Sequence, residues 1–591
     1  MRCQSAGEGD DLNESTKSFR SGAGSFEPLR LSVIRVAAAD RGGKHSDWRP
    51  DVAERTEHDR SRRLARPLVA VAVAATIVAL TAGVVAAGTS PARRAERAAA
   101  SSTTTTTAPA SRSTLDWKPC SDAAFDKWKK IDDALLDGFD CAPFVLPLDR
   151  EDPKGDKVTL AVIKAPATGT PEQRIGTLFL NPGGPGQSGL GLSEIVFLLP
   201  ESVRQRFDFV TYDPRGIGAS TPALEGRGCN IPKPTRPEIG TVDWEEVLAD
   251  RQEQVTSANT RCWNANKDLI EHAGTVEGAH DLDALRAAVG DEKITYWGIS
   301  YGTLLGSTYA QLYPKRVRAM VFDGNMDPQT SISRIASAGS VAPDDSIGFF
   351  LQANGLREKF DEVMAELDER TIELSDGKEY TRWDVLDVLN DGVDFFPITG
   401  DQSWKQASEA VNQSWNALFG SDTEKSAALK ALEDPNLRSP STGTVGSLWS
   451  AVVCQDFSGR LSNDRQQEIL GQITREAPIY GGSLGVDYLT TCNGYGDAEP
   501  NPVPRPKAYG PAIQGMIANS TRDGETPYQW AVNMARTYPT MRPITIVGGI
   551  HGTFGLSQSD CMDDAIAQSL ISGESPALDA TCPFAAPDPA P

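Results

Sequence analysis

From Leu115 onward, short apolar runs rich in β-branched and aromatic residues alternate with stretches whose apolar positions recur at helical spacing. Seven runs read as strands: Val158–Ile163, Thr177–Leu180, Phe207–Tyr212, Ile294–Trp297, Met320–Phe322, Ala512–Ala518 and Ile544–Val547. Val276–Val289 and Leu304–Leu312 read as helices between them. Strands alternating with helices predict an α/β architecture, a mostly parallel sheet covered on both faces. Between Asp327 and about Pro504 the pattern changes to amphipathic helices, such as Phe360–Leu374 and Thr381–Leu389, accompanied by Trp383, Trp404, Trp415 and Trp449. This predicts a helical insertion over the sheet. There are no internal repeats.

Before Leu115 the chain is different. Residues 1–66 are polar and without a sustained period, and are expected to be disordered. Arg60, Arg62, Arg63 and Arg66 then lead into an uncharged run from Pro67 to Gly88, long enough to cross a bilayer once. The same run resembles a signal peptide, with a basic start, an Ala/Val centre and the small residues Ala86 and Ala87 for cleavage. Membrane anchor and cleaved signal both remain open, and both export the rest of the chain. Residues 89–114 form a Ser/Thr/Ala/Pro linker that cannot build a core. The expected organisation is therefore an α/β core in two parts, 115–327 and 508–591, interrupted by a helical cap at 328–507.

Composition is that of a globular chain, with 39% hydrophobic and 23% charged residues. The net charge of −22 is uneven, because residues 1–110 carry 16 basic and 12 acidic side chains and leave −26 for the remainder. An acidic body repels phosphate backbones, so no nucleic-acid partner is expected. Cys3 precedes the apolar run, and Cys120, Cys141, Cys229, Cys262, Cys454, Cys492, Cys561 and Cys582 follow it. An even, widely spaced set without C-x-x-C suggests four disulfides in an oxidising space rather than a zinc site. Nearest-neighbour pairing (120–141, 229–262, 454–492 and 561–582) closes the shortest loops. The expected location is extracellular or at the cell surface.

Gly298-Ile299-Ser300-Tyr301-Gly302 fits G-x-S-x-G, in which a serine sits on a tight strand-to-helix turn. The pattern alone is weak, since Gly481-Gly482-Ser483-Leu484-Gly485 repeats it. Context separates the two. Ser300 follows a strand and opens a helix, whereas Ser483 follows Pro478 in a Gly-rich segment that reads as a loop.

Five histidines are present. His45 and His58 precede the apolar run, and His272 and His280 lie upstream of the nucleophile strand. His551 remains, in the turn Gly548–Gly552 directly after a strand. A neutral imidazole there has a suitable pKa to take the serine proton and return it to the leaving group. The orienting acid should lie between serine and histidine in the chain. Asp523 fits best, with Glu525 its close competitor and Asp323 a weaker one.

Asn181–Gly189 (NPGGPGQSG) follows a strand, and its backbone N–H groups, with that of Tyr301, suit an oxyanion hole. A rival reading exists. Gly184, Gly186 and Gly189 match G-x-G-x-x-G, and Asp213 stands where a ribose-binding acid would. A dinucleotide enzyme would leave the Ser–Asp–His order and the export signal unexplained, so no cofactor is expected. Arg215, in the turn Asp213–Ser220, is read as a loop brace.

On these residues the chain resembles the actinobacterial tripeptidyl aminopeptidase-like α/β-hydrolases, akin to proline iminopeptidases. The resemblance rests on Pro182–Gly186, Asp213–Ser220 (D-x-R-G-x-G-x-S), Gly298–Thr303 (G-x-S-Y-G-T), Asp523–Pro527 (D-x-x-T-P) and Gly549–Thr553 (G-x-H-G-T), and spans roughly 115–585. It implies an α/β-hydrolase fold with a helical cap, a triad of Ser300, Asp523 and His551, and an oxyanion hole at Gly184 and Tyr301. It also implies exopeptidase action on peptides with a free N-terminus. Proline iminopeptidases carry histidine before the two glycines, where this chain has Pro182. Such an enzyme must pair the substrate ammonium with a carboxylate, for which Asp456 is the candidate. No metal is implied, because no histidine pair has ligand spacing. A carboxylesterase acting on small esters with the same triad, and a catalytically silent surface-binding protein, stand as alternatives.

Overall fold

The computed structural model describes residues 115–591 apart from 129–137, 225–226, 395–401, 439–446, 458–459, 497–501, 505–509, 550, 557–558, 577–579 and 585–591. The apolar run 67–88 and the linker 89–114 lie outside the described residues. Among the described residues, no helix is long and apolar enough to cross a membrane.

The chain runs β1 (Lys118–Pro119), β2 (Asp140–Pro147), β3 (Lys157–Ala165), β4 (Gly176–Asn181), α1 (Glu201–Arg204), β5 (Phe207–Tyr212), α2 (Trp244–Glu271), α3 (Thr275–Val289), β6 (Ile294–Ile299), α4 (Tyr301–Leu312) and β7 (Val317–Asp323). A helical stretch comes next: α5 (Ile332–Ala353), α6 (Arg357–Glu369), the hairpin β8 (Ile372–Glu373) and β9 (Glu379–Tyr380), α7 (Arg382–Asp394), α8 (Gln402–Phe419), α9 (Asp422–Ala431), α10 (Ser447–Asp456), α11 (Asn463–Glu476) and α12 (Gly481–Thr490). The sheet resumes with β10 (Gly515–Ser520), α13 (Tyr528–Thr537), β11 (Arg542–Val547), α14 (Asp560–Ser572) and β12 (Ala580–Pro583).

Ten strands form one sheet in the order β1-β2-β3-β5-β4-β6-β7-β10-β11-β12. From β5 to β12 every pairing is parallel, while β1, β2, β3 and β5 pair antiparallel. The inner strands β4, β6 and β10 are buried at every position, as expected for parallel strands covered on both sides. Side chains alternate between two cores. Phe179, Tyr296 and Phe322 join Leu282, Leu304 and Trp530 on one face. Leu178, Leu180, Trp297 and Val321 join Ile195, Met562 and Ile566 on the other. This is the α/β-hydrolase fold.

The helical stretch builds its own core from Phe350, Phe360, Tyr380, Leu386, Leu389 and Val411. Helix α2, which precedes the nucleophile strand, adds Val247 and Leu248 against Ile469, Leu470 and Ile473 of α11.

Three sequence expectations are corrected. The helix expected over Phe360–Leu374 begins at Arg357 and ends at Glu369, and Ile372–Glu373 pairs in a hairpin instead. The strand expected from Ala512 begins at Gly515, which has φ 139° and no room for a Cβ, 1.8 Å from the Met320 carbonyl oxygen. Ser483 lies inside helix α12, where its Oγ accepts from Arg236, rather than in a loop.

Candidate active site

Ser300 links β6 to α4 with φ 59° and ψ −126°, and among the described residues it alone outside glycine has a positive φ. Such a backbone costs on the order of 1–3 kcal/mol and persists only when its surroundings enforce it. Both flanking glycines are required by close approach. A Cβ on Gly298 would sit 2.4 Å from the Gly302 carbonyl oxygen, and one on Gly302 would sit 2.4 Å from that of Asn181. The Ser300 N–H donates to the Asp323 carbonyl at the end of β7 (2.9 Å), and Thr303 Oγ1 donates to the Ser300 carbonyl (2.6 Å).

His551 follows β11, and its Nδ1 lies 2.9 Å from Asp523 Oδ1. Both side chains are buried, His551 at 9% and Asp523 at 0% exposure. Asp523 is held by further donors: the Thr526 N–H at 2.7 Å and Glu525 N–H at 3.1 Å on Oδ1, and Thr526 Oγ1 at 2.9 Å on Oδ2. An acceptor fixed so firmly at Nδ1 keeps the proton there and puts the basic lone pair of the neutral ring on Nε2. Burial alone would lower the His551 pKa. The charge and hydrogen bond of Asp523, with the charges of Glu525 and Asp323, outweigh it and lift the value to about 9. Burial pushes the Glu525 carboxyl up; the His551 cation opposes this, and the Asp523 and Asp391 carboxylates add to it.

The histidine and serine loops meet at the end of β7. Asp323 accepts from the N–H groups of Thr553 and Phe554 (3.0 Å each) and from Thr553 Oγ1 (2.8 Å). Beside it, a Cβ on Gly324 would come 3.0 Å from His551 Cε1. The structure thus brings Ser300, His551 and Asp523 to the carboxyl ends of the parallel strands β6, β11 and β10, and gives Asp323 the task of bracing their loops.

The glycine loop lies against the nucleophile turn. Gly183 (φ 103°) is so close that a Cβ would meet Ser300 Cβ at 2.8 Å and Tyr301 N at 3.1 Å. Its N–H is taken by Asn181 Oδ1 at 3.1 Å. The Gly184 N–H has no hydrogen-bond partner among the described residues, and the Tyr301 N–H opens α4, where no intrahelical partner exists. The Tyr301 N–H therefore stands next to Ser300, and the Gly184 N–H follows Gly183 in the loop packed against it. Leu448 of α10 roofs the loop, its Cβ 3.5 Å from where one on Gly186 would stand.

The remaining sequence candidates have structural partners. Asp213 accepts from Ser188 Oγ (2.6 Å) and the Ala219 N–H (2.7 Å), clasping the glycine loop to the next turn. A carboxylate so occupied does not fit a ribose. Arg215 pairs with Asp281 (Nη2 to Oδ1, 2.8 Å) and donates to the Leu148 carbonyl (2.7 Å), as a brace would. Asp456, at the end of α10, accepts from the Thr275 N–H (2.7 Å) and Thr275 Oγ1 (2.6 Å), so it caps α3. Disulfides join Cys120 to Cys141, Cys229 to Cys262, Cys454 to Cys492 and Cys561 to Cys582. Among the described residues no cluster of metal-ligating side chains occurs.

Sequence reasoning missed Thr526 and Thr275. Thr526 stands in the quoted D-x-x-T-P stretch, so its fixed spacing from Asp523 was a signal. Nothing local marks Thr275, whose partners are 26 and 181 positions away.

Residues 176–366 match the alpha/beta hydrolase fold family, and residues 477–582 match the TAP-like protein family. The chain is similar to the serine protease Hip1 of Mycobacterium tuberculosis, 28% identical over 88% of this chain and 99% of that one. It is also similar to the tripeptidyl aminopeptidase of Streptomyces lividans (27% identical, over 82% of this chain and 89% of that one). Carboxylesterase B of Mycobacterium tuberculosis is 27% identical over 75% of this chain and 86% of that one. The chain has the α/β-hydrolase fold and is a serine hydrolase.

Proposed function

We propose that Ser300, His551 and Asp523 form the catalytic triad of an exported peptidase that releases short peptides from free N-termini. His551 Nε2 takes the proton from Ser300 Oγ as Oγ attacks the scissile carbonyl. The Gly184 and Tyr301 amides receive the oxyanion, and the imidazolium returns the proton to the leaving amine. Water then adds to the acyl-enzyme by the same route, regenerating Ser300. The observation that carries this reading is the 2.9 Å contact of a buried Asp523 with His551 Nδ1, at the same carboxyl end of the parallel strands as the strained Ser300. Likeness to the tripeptidyl aminopeptidase favours a short N-terminal peptide as product. The four disulfides favour an oxidising compartment outside the cytosol, consistent with export through the run at 67–88.

Likeness to Carboxylesterase B supports a second reading, hydrolysis of small esters with the same triad. The test compares a tripeptide anilide with a free N-terminus, its N-acetylated form, and a short acyl ester. Preference for the free peptide supports the peptidase. Equal turnover of both peptides removes the aminopeptidase reading, and turnover of the ester alone selects the esterase.

A further inference from the structure

The oxyanion residue Tyr301 is tied through its side chain to a buried acid that the proposed chemistry does not use. Its hydroxyl meets Thr275 Oγ1, and Thr275 Oγ1 donates to Asp456 Oδ2 at 2.6 Å. Oδ1 of the same carboxylate accepts the Thr275 N–H at 2.7 Å. All three residues are buried, at 7%, 0% and 1% exposure. Asp456 ends α10, the helix whose Leu448 roofs the glycine loop, and the Cys454–Cys492 disulfide pins it two residues earlier. One hydrogen-bonded chain therefore connects the cap helix, the start of α3 and the first residue of α4.

We propose that Asp456 is a positioning residue for acyl transfer: through Thr275 it fixes the Tyr301 side chain, and with it the Tyr301 N–H that receives the oxyanion. The inference rests on the reading of Ser300 as nucleophile and of the Tyr301 N–H as oxyanion donor. The direction of the chain depends on the charge of Asp456. An ionised carboxylate can only accept, so Thr275 donates to it and must accept from the Tyr301 hydroxyl. A protonated carboxyl can itself donate, which frees the threonine hydroxyl to turn and releases the tyrosine from a single orientation.

The surroundings make this switch accessible near neutral pH. Burial raises the Asp456 pKa to about 7, against the two Thr275 hydrogen bonds, which lower it. The other titratable groups here are the Tyr301 phenol on α4 and, behind it, the Tyr212 phenol on β5, both held neutral by burial. Arg215 and Asp281, which line the cavity beside Gly274 and Tyr301, neutralise one another. Arg460, beyond α10, donates to the Cys454 carbonyl. Since the His551 pKa is about 9, the acid side of the kcat/KM profile should contain two ionisations.

The experiment measures kcat and KM from pH 5.5 to 9.5 for the full chain, with the substrate that the wild type turns over best. Wild type, Asp456→Asn, Thr275→Val and Thr275→Ser are compared, each titrated with a fluorophosphonate and checked by thermal melting. Wild type should show a log kcat/KM slope of about one below pH 9, steepening to clearly more than one below pH 7. Asp456→Asn and Thr275→Val should each lower kcat by at least about tenfold with KM within about twofold, because an oxyanion contact acts in the transition state. Both should also keep a slope of about one throughout. Thr275→Ser, which restores the hydroxyl, should recover kcat and the steeper limb. A variant that fails to melt cooperatively is set aside, and the other carries the test. Kcat within about twofold of wild type, or persistence of the steeper limb below pH 7, in a folded, labelled variant overturns the proposal. Failure of the fluorophosphonate to label wild-type Ser300 instead overturns the nucleophile assignment on which it rests.

Discussion

Asp323 and Ser300 are joined at the backbone: the carbonyl of Asp323 accepts the Ser300 N–H at 2.9 Å, while its carboxylate holds Thr553 and Phe554 just beyond His551. One residue therefore sets the spacing between the strained serine and the histidine loop. Its carboxyl is pushed up by burial and drawn back by the donors from Phe554, Thr553 and Trp297.

Replacing Asp323 by alanine strands four buried donors, from the Thr553 N–H and hydroxyl, the Phe554 N–H and the Trp297 indole. The expected cost is about 2–4 kcal/mol of stability, read as a shift in the denaturant midpoint. Kcat should fall by at least about tenfold even at temperatures where the variant is folded, because a small displacement of the histidine loop spoils proton transfer. A variant as stable and as active as wild type would show that the brace is dispensable.

Gly183 and Gly240 both have positive φ, 103° and 82°, but only Gly183 faces neighbours. Gly240→Ala meets nothing within 4 Å, so it should cost only about 1–2 kcal/mol of backbone strain and leave kcat/KM near wild type. Gly183→Ala would press on Ser300 Cβ at 2.8 Å and should lower kcat by about a hundredfold or more. Parallel melts and rate measurements on the two variants separate strain from site damage.

The folded-state pKa of His551, about 9, exceeds its ordinary 6.5, so protonated His551 stabilises the fold. That contribution is complete below about pH 6.5 and is lost as pH rises to about 9, a change of roughly 3 kcal/mol for this buried group. Activity should run the opposite way, since only the neutral imidazole is a base, and kcat/KM should climb towards pH 9. Asp523→Asn removes the largest upward pull and should shift both midpoints to lower pH. Unchanged midpoints would separate Asp523 from the imidazole's titration.

The disulfides close loops with sequence separations of 21 to 38 residues. Removing one by paired Cys→Ser replacement should cost about 3 kcal/mol, measured by chemical unfolding. Loss of the 454–492 pair should also lower kcat, because it ties α10, which carries Leu448 and Asp456, to the turn after α12, whereas loss of the 561–582 pair, between α14 and β12, should affect stability alone.

The sheet was readable where strands are buried on both sides. Thr177–Leu180 and Ile294–Trp297 are continuous apolar runs, and the structure extends them only to Gly176–Asn181 and Ile294–Ile299. It was hidden where local signals conflict. Strand β2 contains Pro143 and Pro147, which normally argue against a strand, yet it pairs with β3 over eight positions beside the short edge strand β1. The site divides in the same way. Ser300 and His551 announce themselves by the glycines that their turns require, and Asp523 by chain order. Asp323 was weighed only as a rival acid, because bracing across 230 positions leaves no mark on its neighbours in sequence. Asp456 looked open to a ligand in the sequence, where nothing shows that α3 begins against it.

Leu448 and Trp449 of α10 stand 3.5–3.7 Å from where a Cβ on Gly186 would be, so the insertion packs against the glycine loop itself. If the glycine loop serves acyl transfer as proposed, the insertion is also a wall of its site. Changes along one turn of α10 can retune which acyl groups fit while the serine, histidine and aspartate stay untouched, which gives this scaffold a route to new substrates that spares its chemistry.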